Sequence, residues 1–121
     1  MEAKKHGIKP ILGSEIYVAD DMADRENKRR FHLILLAQNL LGYHNLVKIV
    51  SAGFLDGFYY KPRVDKNFLR RHSEGLICLS ACLQGEVPWT LRFETIDKAL
   101  AKTREYIEIF PDQVADRKSV V

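Results

Sequence analysis

One stretch constrains the fold of this chain more than any other: Phe31-His32-Leu33-Ile34-Leu35-Leu36-Ala37. Only His32 breaks an otherwise apolar run. A run this short, apolar at every register, predicts a strand buried on both faces. Before it, DDMADRENKRR (residues 20–30) is almost all charged or polar and predicts a solvated loop. After it, Asn39 can cap a helix from Leu40 to Phe54. Tyr43, Leu46, Val47, Val50 and Phe54 recur on that helix at helical spacing and are its expected buried stripe.

The flanks add alternating elements. Ile11 to Val18 predicts a strand, with Ile11, Gly13, Glu15 and Tyr17 on one face and Leu12, Ser14, Ile16 and Val18 on the other. Residues 57–65, GFYYKPRVD, read as extended around Pro62. Asp65 can cap a short helix, KNFLRRHSE, with Gly75 as its C′ residue. Leu76 to Ser80 is the next expected strand. Val87 to Phe110 is helical in pattern, with Pro88 in its first turn and a break near Thr95, which can cap the second half. Ile96, Leu100, Thr103, Ile107 and Phe110 are that half's expected stripe. Strands alternating with helices predict α/β layering. So few strands cannot close a barrel, so the chain reads as the middle of a larger α/β domain.

At 121 residues there is room for one small domain. Charged residues are 29% and the net charge is +3, a balance that a solvated surface explains without invoking nucleic acid. Cys78 and Cys82 sit four apart, and in one extended run their side chains stand roughly 13 Å apart on one face, too far for a disulfide. That predicts a reduced, cytoplasmic protein, and no apolar run is long enough for a membrane span. The last six residues, Asp116 to Val121, match the translation of a common sequencing adapter. Residues 114–121 are therefore expected to be a non-native tail, and 1–113 a fragment of a longer gene product.

The chemistry-bearing candidates are polar groups set in or beside apolar runs. Glu15 lies inside the first strand, His32 opens the second, and Cys82 follows the third. All three residue types ligate zinc and similar metals. Each also has an ordinary reading: a water-facing edge glutamate, a hydrogen-bonded histidine, a small core cysteine. If the first two strands run antiparallel, Glu15 and His32 come close enough to share an ion; if parallel, they do not. Cys78 reads as core, and His6, His44 and His72 as surface residues. Basic residues fall in Lys28-Arg29-Arg30, Lys61-x-Arg63 and Arg70-Arg71; Lys61 and Arg63, following Tyr59 and Tyr60, are the nucleic-acid candidates. No P-loop, HExxH, CxxC or GxSxG motif is present.

Three stretches together carry a resemblance: GIKPILGSEIYV (7–18), FHLILLAQNLLGYHNLVKIVSAGFLDGFYYKPRVDKNFL (31–69) and HSEGLICLSACLQGEVP (72–88). In consistent order they resemble the PHP (polymerase and histidinol phosphatase) domains of bacterial replicative DNA polymerase III alpha subunits. The resemblance implies a distorted (β/α)7 barrel, here partial and truncated at both ends. It implies a divalent metal cluster (zinc, manganese or magnesium), with the family's ligand positions falling on Glu15, His32 and Cys82. The remaining ligands would lie before Met1 and beyond the Gln113 region, so the fragment alone is not expected to retain the cluster.

For the intact domain the resemblance implies either of two roles. One is a metal-dependent 3′–5′ exonuclease site; the other is a non-catalytic module that supports the polymerase core. The implied parent is a cytoplasmic bacterial DNA-directed DNA polymerase whose partners are DNA, the sliding clamp and a proofreading subunit, with no membrane. Its polymerase carboxylates would lie outside this chain, and the fragment itself is expected to be inactive.

Overall fold

The computed structural model describes residues 5–80, 83–111 and 114–116. Its elements run β1 (Gly13–Ala19), β2 (Phe31–Ala37), α1 (Leu40–Leu55), β3 (Val64–Asp65), α2 (Lys66–Arg71), β4 (Leu76–Ser80), α3 (Glu86–Phe93), α4 (Ile96–Ile109) and β5 (Val114–Asp116). The five strands form one open sheet in the order β3-β1-β2-β4-β5. β2 pairs antiparallel with both β1 and β4, while the short edge strands β3 and β5 pair parallel to their neighbours. The expected α/β layering is present; a closed barrel is not formed by the described residues. Val114–Asp116, counted with the expected tail, continue the sheet beside Cys78, Leu79 and Ser80.

β2 is not buried on both faces. Phe31, Leu33 and Leu35 are buried, while His32, Ile34 and Leu36 are only half-buried. The reason is layering. The helices pack on one face, where Ile16, Val18, Leu33, Leu35, Leu76 and Cys78 meet Leu46, Ile49 and Ala52 of α1 and Tyr106 and Ile109 of α4. The opposite face carries Glu15, Tyr17, His32, Ile34, Leu36, Ile77 and Leu79, none of them fully buried.

Three capping residues act as the sequence predicts. Asn39, Asp65 and Thr95 accept from the backbone N–H of Gly42, Phe68 and Lys98. Each such cap is worth about 1 kcal/mol. The expected break near Thr95 separates α3 from α4. α2 stops at Arg71, earlier than expected, and Gly75 is not its C′ residue but a turn residue at φ +80°.

The two long helices bury only part of their expected stripes: Leu46 and Phe110 are buried and Val50 is half-buried, but the rest of each buried face differs. On α1, Tyr43, Val47 and Phe54 are exposed, and the buried face is Gly42, Asn45, Leu46, Ile49, Ala52 and Gly53. On α4, Ile96, Leu100 and Ile107 are exposed, and Ala99, Tyr106, Ile109 and Phe110 are buried. Close approach explains α1. A Cβ on Gly42 would lie 1.9 Å from the Gly75 carbonyl oxygen, so only glycine lets the helix start reach that turn. Asn45 fastens the same junction by donating to the Glu74 carbonyl at 2.8 Å. The restriction is local to this end of the helix, since Leu46 and Ile49 farther along the same face are buried in the core.

A buried ion-pair cluster joins α2, α3 and α4. Lys66 lies 2.5 Å from Glu86 and 2.9 Å from Glu105, with Glu86 only 4% exposed. Burial pushes the Glu105 carboxyl up, but hydrogen bonding and charge from Lys66 outweigh it and hold the group below its ordinary range. Burial, then the charge of Glu86, raises the Tyr106 phenol well above its ordinary value.

Gly42→Ala is expected to lower stability by about 1–3 kcal/mol, because the new methyl meets backbone rather than a movable side chain. Urea melts of the two chains measure this; an unchanged midpoint would refute the close-approach account.

Candidate metal centre

The antiparallel pairing of β1 and β2 sets the geometry. Glu15 stands opposite Ile34, and Tyr17 opposite His32. Side chains alternate along a strand, so Glu15 and His32 are diagonal neighbours on the open face. His32 Nδ1 lies 2.7 Å from Glu15 Oε1. The histidine side chain is 18% exposed and the glutamate 55%. Of the two strand arrangements the sequence left open, this is the one that lets the residues share an ion.

The buried His32 Nδ1 therefore faces the Glu15 carboxylate directly. A carboxylate oxygen and an imidazole nitrogen suit a borderline metal ion. Two tetrahedral ligands at the usual bond lengths stand about 3.3 Å apart. Admitting an ion between them therefore requires a small separation, which the half-exposed Glu15 can supply by moving. Two donors are fewer than any closed site needs, and among the described residues no group of three or more His, Cys, Asp or Glu side chains converges.

The third expected ligand, Cys82, lies outside the described residues. The chain on either side of it is anchored close to His32. Ser80 pairs with Leu33, and the His32 N–H donates to the Gln84 carbonyl at 3.1 Å. Gly85 forms a bridge with His32 itself.

The other candidates divide. Cys78 is core as expected: it is 1% exposed on the helix-covered face, and burial pushes its thiol up to about 12. His6 and His44 are exposed. His72 is half-buried, with Nδ1 3.0 Å from the Phe68 carbonyl oxygen. Lys61 is exposed, whereas Arg63 is 1% exposed. The Arg63 guanidinium donates to the carbonyls of Gly57, Asn27, Met22 and Asp24 at 2.6–3.2 Å. Those bonds occupy Arg63 as an internal clamp, not as a surface group facing a nucleic acid. Neither this clamp nor the Lys66 cluster was legible in the sequence, because their partners are 6 to 41 residues away and are mostly carbonyls.

A cavity of about 210 Å³ opens beside β1, lined in part by Glu15, Val50, Phe54 and Arg63, and it does not reach His32. No helix of the described residues is long and apolar enough to cross a membrane.

Comparison with known proteins adds the family. Residues 1–115 match the PHP domain family. The chain is 46% identical over 121 residues to DNA polymerase III subunit alpha of Helicobacter pylori, an alignment covering 90% of this chain and 10% of that protein. Against DNA polymerase III subunit alpha of Borreliella burgdorferi it is 54% identical over 92 residues, covering 72% and 8%. Against that of Thermus aquaticus it is 43% identical over 118 residues, covering 93% and 10%. The chain thus spans about a tenth of the length of the curated relatives it matches.

Burial and the raised thiol of Cys78 carry a direct expectation. Iodoacetamide at pH 8 should leave Cys78 unmodified in the folded chain and alkylate it fully in denaturant, as read by peptide mass mapping. Rapid native labelling at Cys78 would show that β4 does not pack as described.

Proposed function

The chain belongs to the PHP domain family, and on that basis we propose that it is part of a replicative DNA polymerase III alpha subunit whose Glu15, His32 and Cys82 ligate divalent metal in a 3′–5′ exonuclease site. The observation that carries this reading is the convergence of Glu15 and His32 on the open face of the sheet, with a half-buried imidazole nitrogen 2.7 Å from the carboxylate. The half-buried apolar surface of Ile34, Leu36, Ile77 and Leu79 suits the inner wall of a barrel completed by strands outside this chain. The tether of residues 80 and 85 to Leu33 and His32 supports Cys82 as the third ligand.

When bound, divalent metal would supply Lewis-acid activation of water and neutralisation of charge on the phosphate. The chain's own residues prepare that chemistry. The helix-packed face of β1 and β2 fixes the backbone beneath Glu15 and His32, so only the Glu15 side chain has to shift to admit the ion. Tyr17 holds the His32 ring by an edge contact at 4.7 Å between centroids. Polymerisation and replisome contacts belong to the rest of the proposed parent.

The test is degradation of a mismatched single-stranded 3′ end by the full-length polymerase subunit, freed of any separate proofreading subunit and supplied with zinc, manganese or magnesium. Wild-type protein should degrade the end, and His32→Ala should reduce the rate at least 100-fold while leaving primer extension within a few-fold. Equal degradation by both proteins would refute the ligand assignment. No degradation by either would mean that the segment serves as a non-catalytic support of the polymerase core.

A further inference from the structure

Lys28, Arg29 and Arg30 are consecutive, and each lies over a different aromatic ring. Lys28 Nζ is 4.3 Å from the centre of the Tyr60 ring, Arg29 Cζ is 4.6 Å from that of Trp89, and Arg30 Cζ is 5.1 Å from that of Tyr17. The rings come from three separate parts of the chain: the loop before β3, helix α3 and strand β1. Among the described residues none of the three cations forms an ion pair with a carboxylate, and the buried Arg30 Nε has no hydrogen-bond partner. The acidic half of the same loop is partly occupied with its own backbone. Asp21 accepts from the Ala23 N–H, and Asp24 from the Glu26 N–H.

A second observation is conformational. Tyr60 is the one described non-glycine residue with positive φ, at +63°, and it is 61% exposed. A bulky side chain in the left-handed region is strained, and glycine would fit there without strain. Holding an aromatic ring out to solvent at such a position gains nothing for the core. Strain of this kind clusters at binding sites.

We propose that these six residues form a track for single-stranded nucleic acid, the cations meeting phosphates and the rings stacking bases. Cations paired with stacking surfaces are what an unpaired strand needs, and a duplex hides the base faces that the rings would take. The track ends at the proposed metal centre, because the Arg30-bearing ring of Tyr17 is the one that packs on His32. That the track delivers a 3′ end to Glu15 and His32 rests on the exonuclease reading; binding of the strand does not.

The experiment is a fluorescence anisotropy titration of the chain with labelled 16-mer oligothymidylate in EDTA, at 50 and 200 mM salt. EDTA removes any contribution from metal chemistry, so the result is independent of whether the nuclease assignment holds. The triple variant K28Q/R29Q/R30Q is expected to bind at least tenfold more weakly and to lose about two from the slope of log affinity against log salt. Tyr60→Gly is the second variant. It should raise or preserve the melting temperature, because the strain is relieved, yet weaken binding about tenfold. Arg104→Gln, on the exposed side of α4, should leave binding unchanged. Undiminished binding in Tyr60→Gly, tighter binding of duplex than of single strand, or equal affinity for polyglutamate would each overturn the proposal, the last in favour of attraction to any polyanion without base stacking.

Discussion

The register between β1 and β2 is the constraint on which everything else depends. Pairing Tyr17 with His32 sends Ile16, Val18, Leu33 and Leu35 into the helix-covered core and turns Glu15 and His32 to the open face. A slip of one residue would exchange the two sets. Burial decides which arrangement wins. Each large aliphatic side chain removed from water contributes roughly 1.5–3 kcal/mol, whereas an exposed ion pair contributes about 0.2–1 kcal/mol. The Glu15–His32 contact therefore does not hold the strands in register. The apolar face does, and the candidate site follows from it.

A second layer of organisation secures the end of the sheet where β1 leaves and β2 begins. Arg63 donates to three carbonyls of the loop between those strands and to Gly57 in the loop before β3. Arg25 adds a bond to the Asp56 carbonyl at 2.7 Å. These bonds tie two irregular segments together, and that junction brings Lys28 over Tyr60. Burying a guanidinium is tolerable because its N–H groups have acceptors; removing them would leave a costly buried charge. Across the sheet, the Lys66 cluster does comparable work for α2, α3 and α4.

Much of this was legible in the sequence, and the gaps have physical causes. Local signals gave the elements: apolar runs for β1, β2 and β4, and capping side chains at Asn39, Asp65 and Thr95. The faces of α1 and α4 are only partly legible, because helical spacing of large apolar residues finds Leu46, Val50 and Phe110 but not the small residues that pack beside them. At the start of α1, contact with Gly75 selects Gly42. The candidate site was legible as residue types but not as a site, since strand direction is a tertiary fact; resemblance to PHP domains singled out Glu15 and His32 where spacing alone could not. The positive φ of Tyr60 and the burial of Arg63 leave no local trace, and a cation close after two tyrosines reads in the sequence as a surface group.

That register is what would hold Glu15 and His32 as the proposed metal ligands. Anomalous diffraction from crystals of the full-length subunit grown with zinc or manganese tests it most directly. A metal peak is expected about 2.0–2.3 Å from both a Glu15 carboxylate oxygen and a His32 ring nitrogen. A fully occupied metal cluster elsewhere in the domain, with Glu15 and His32 still paired only to each other, would contradict it.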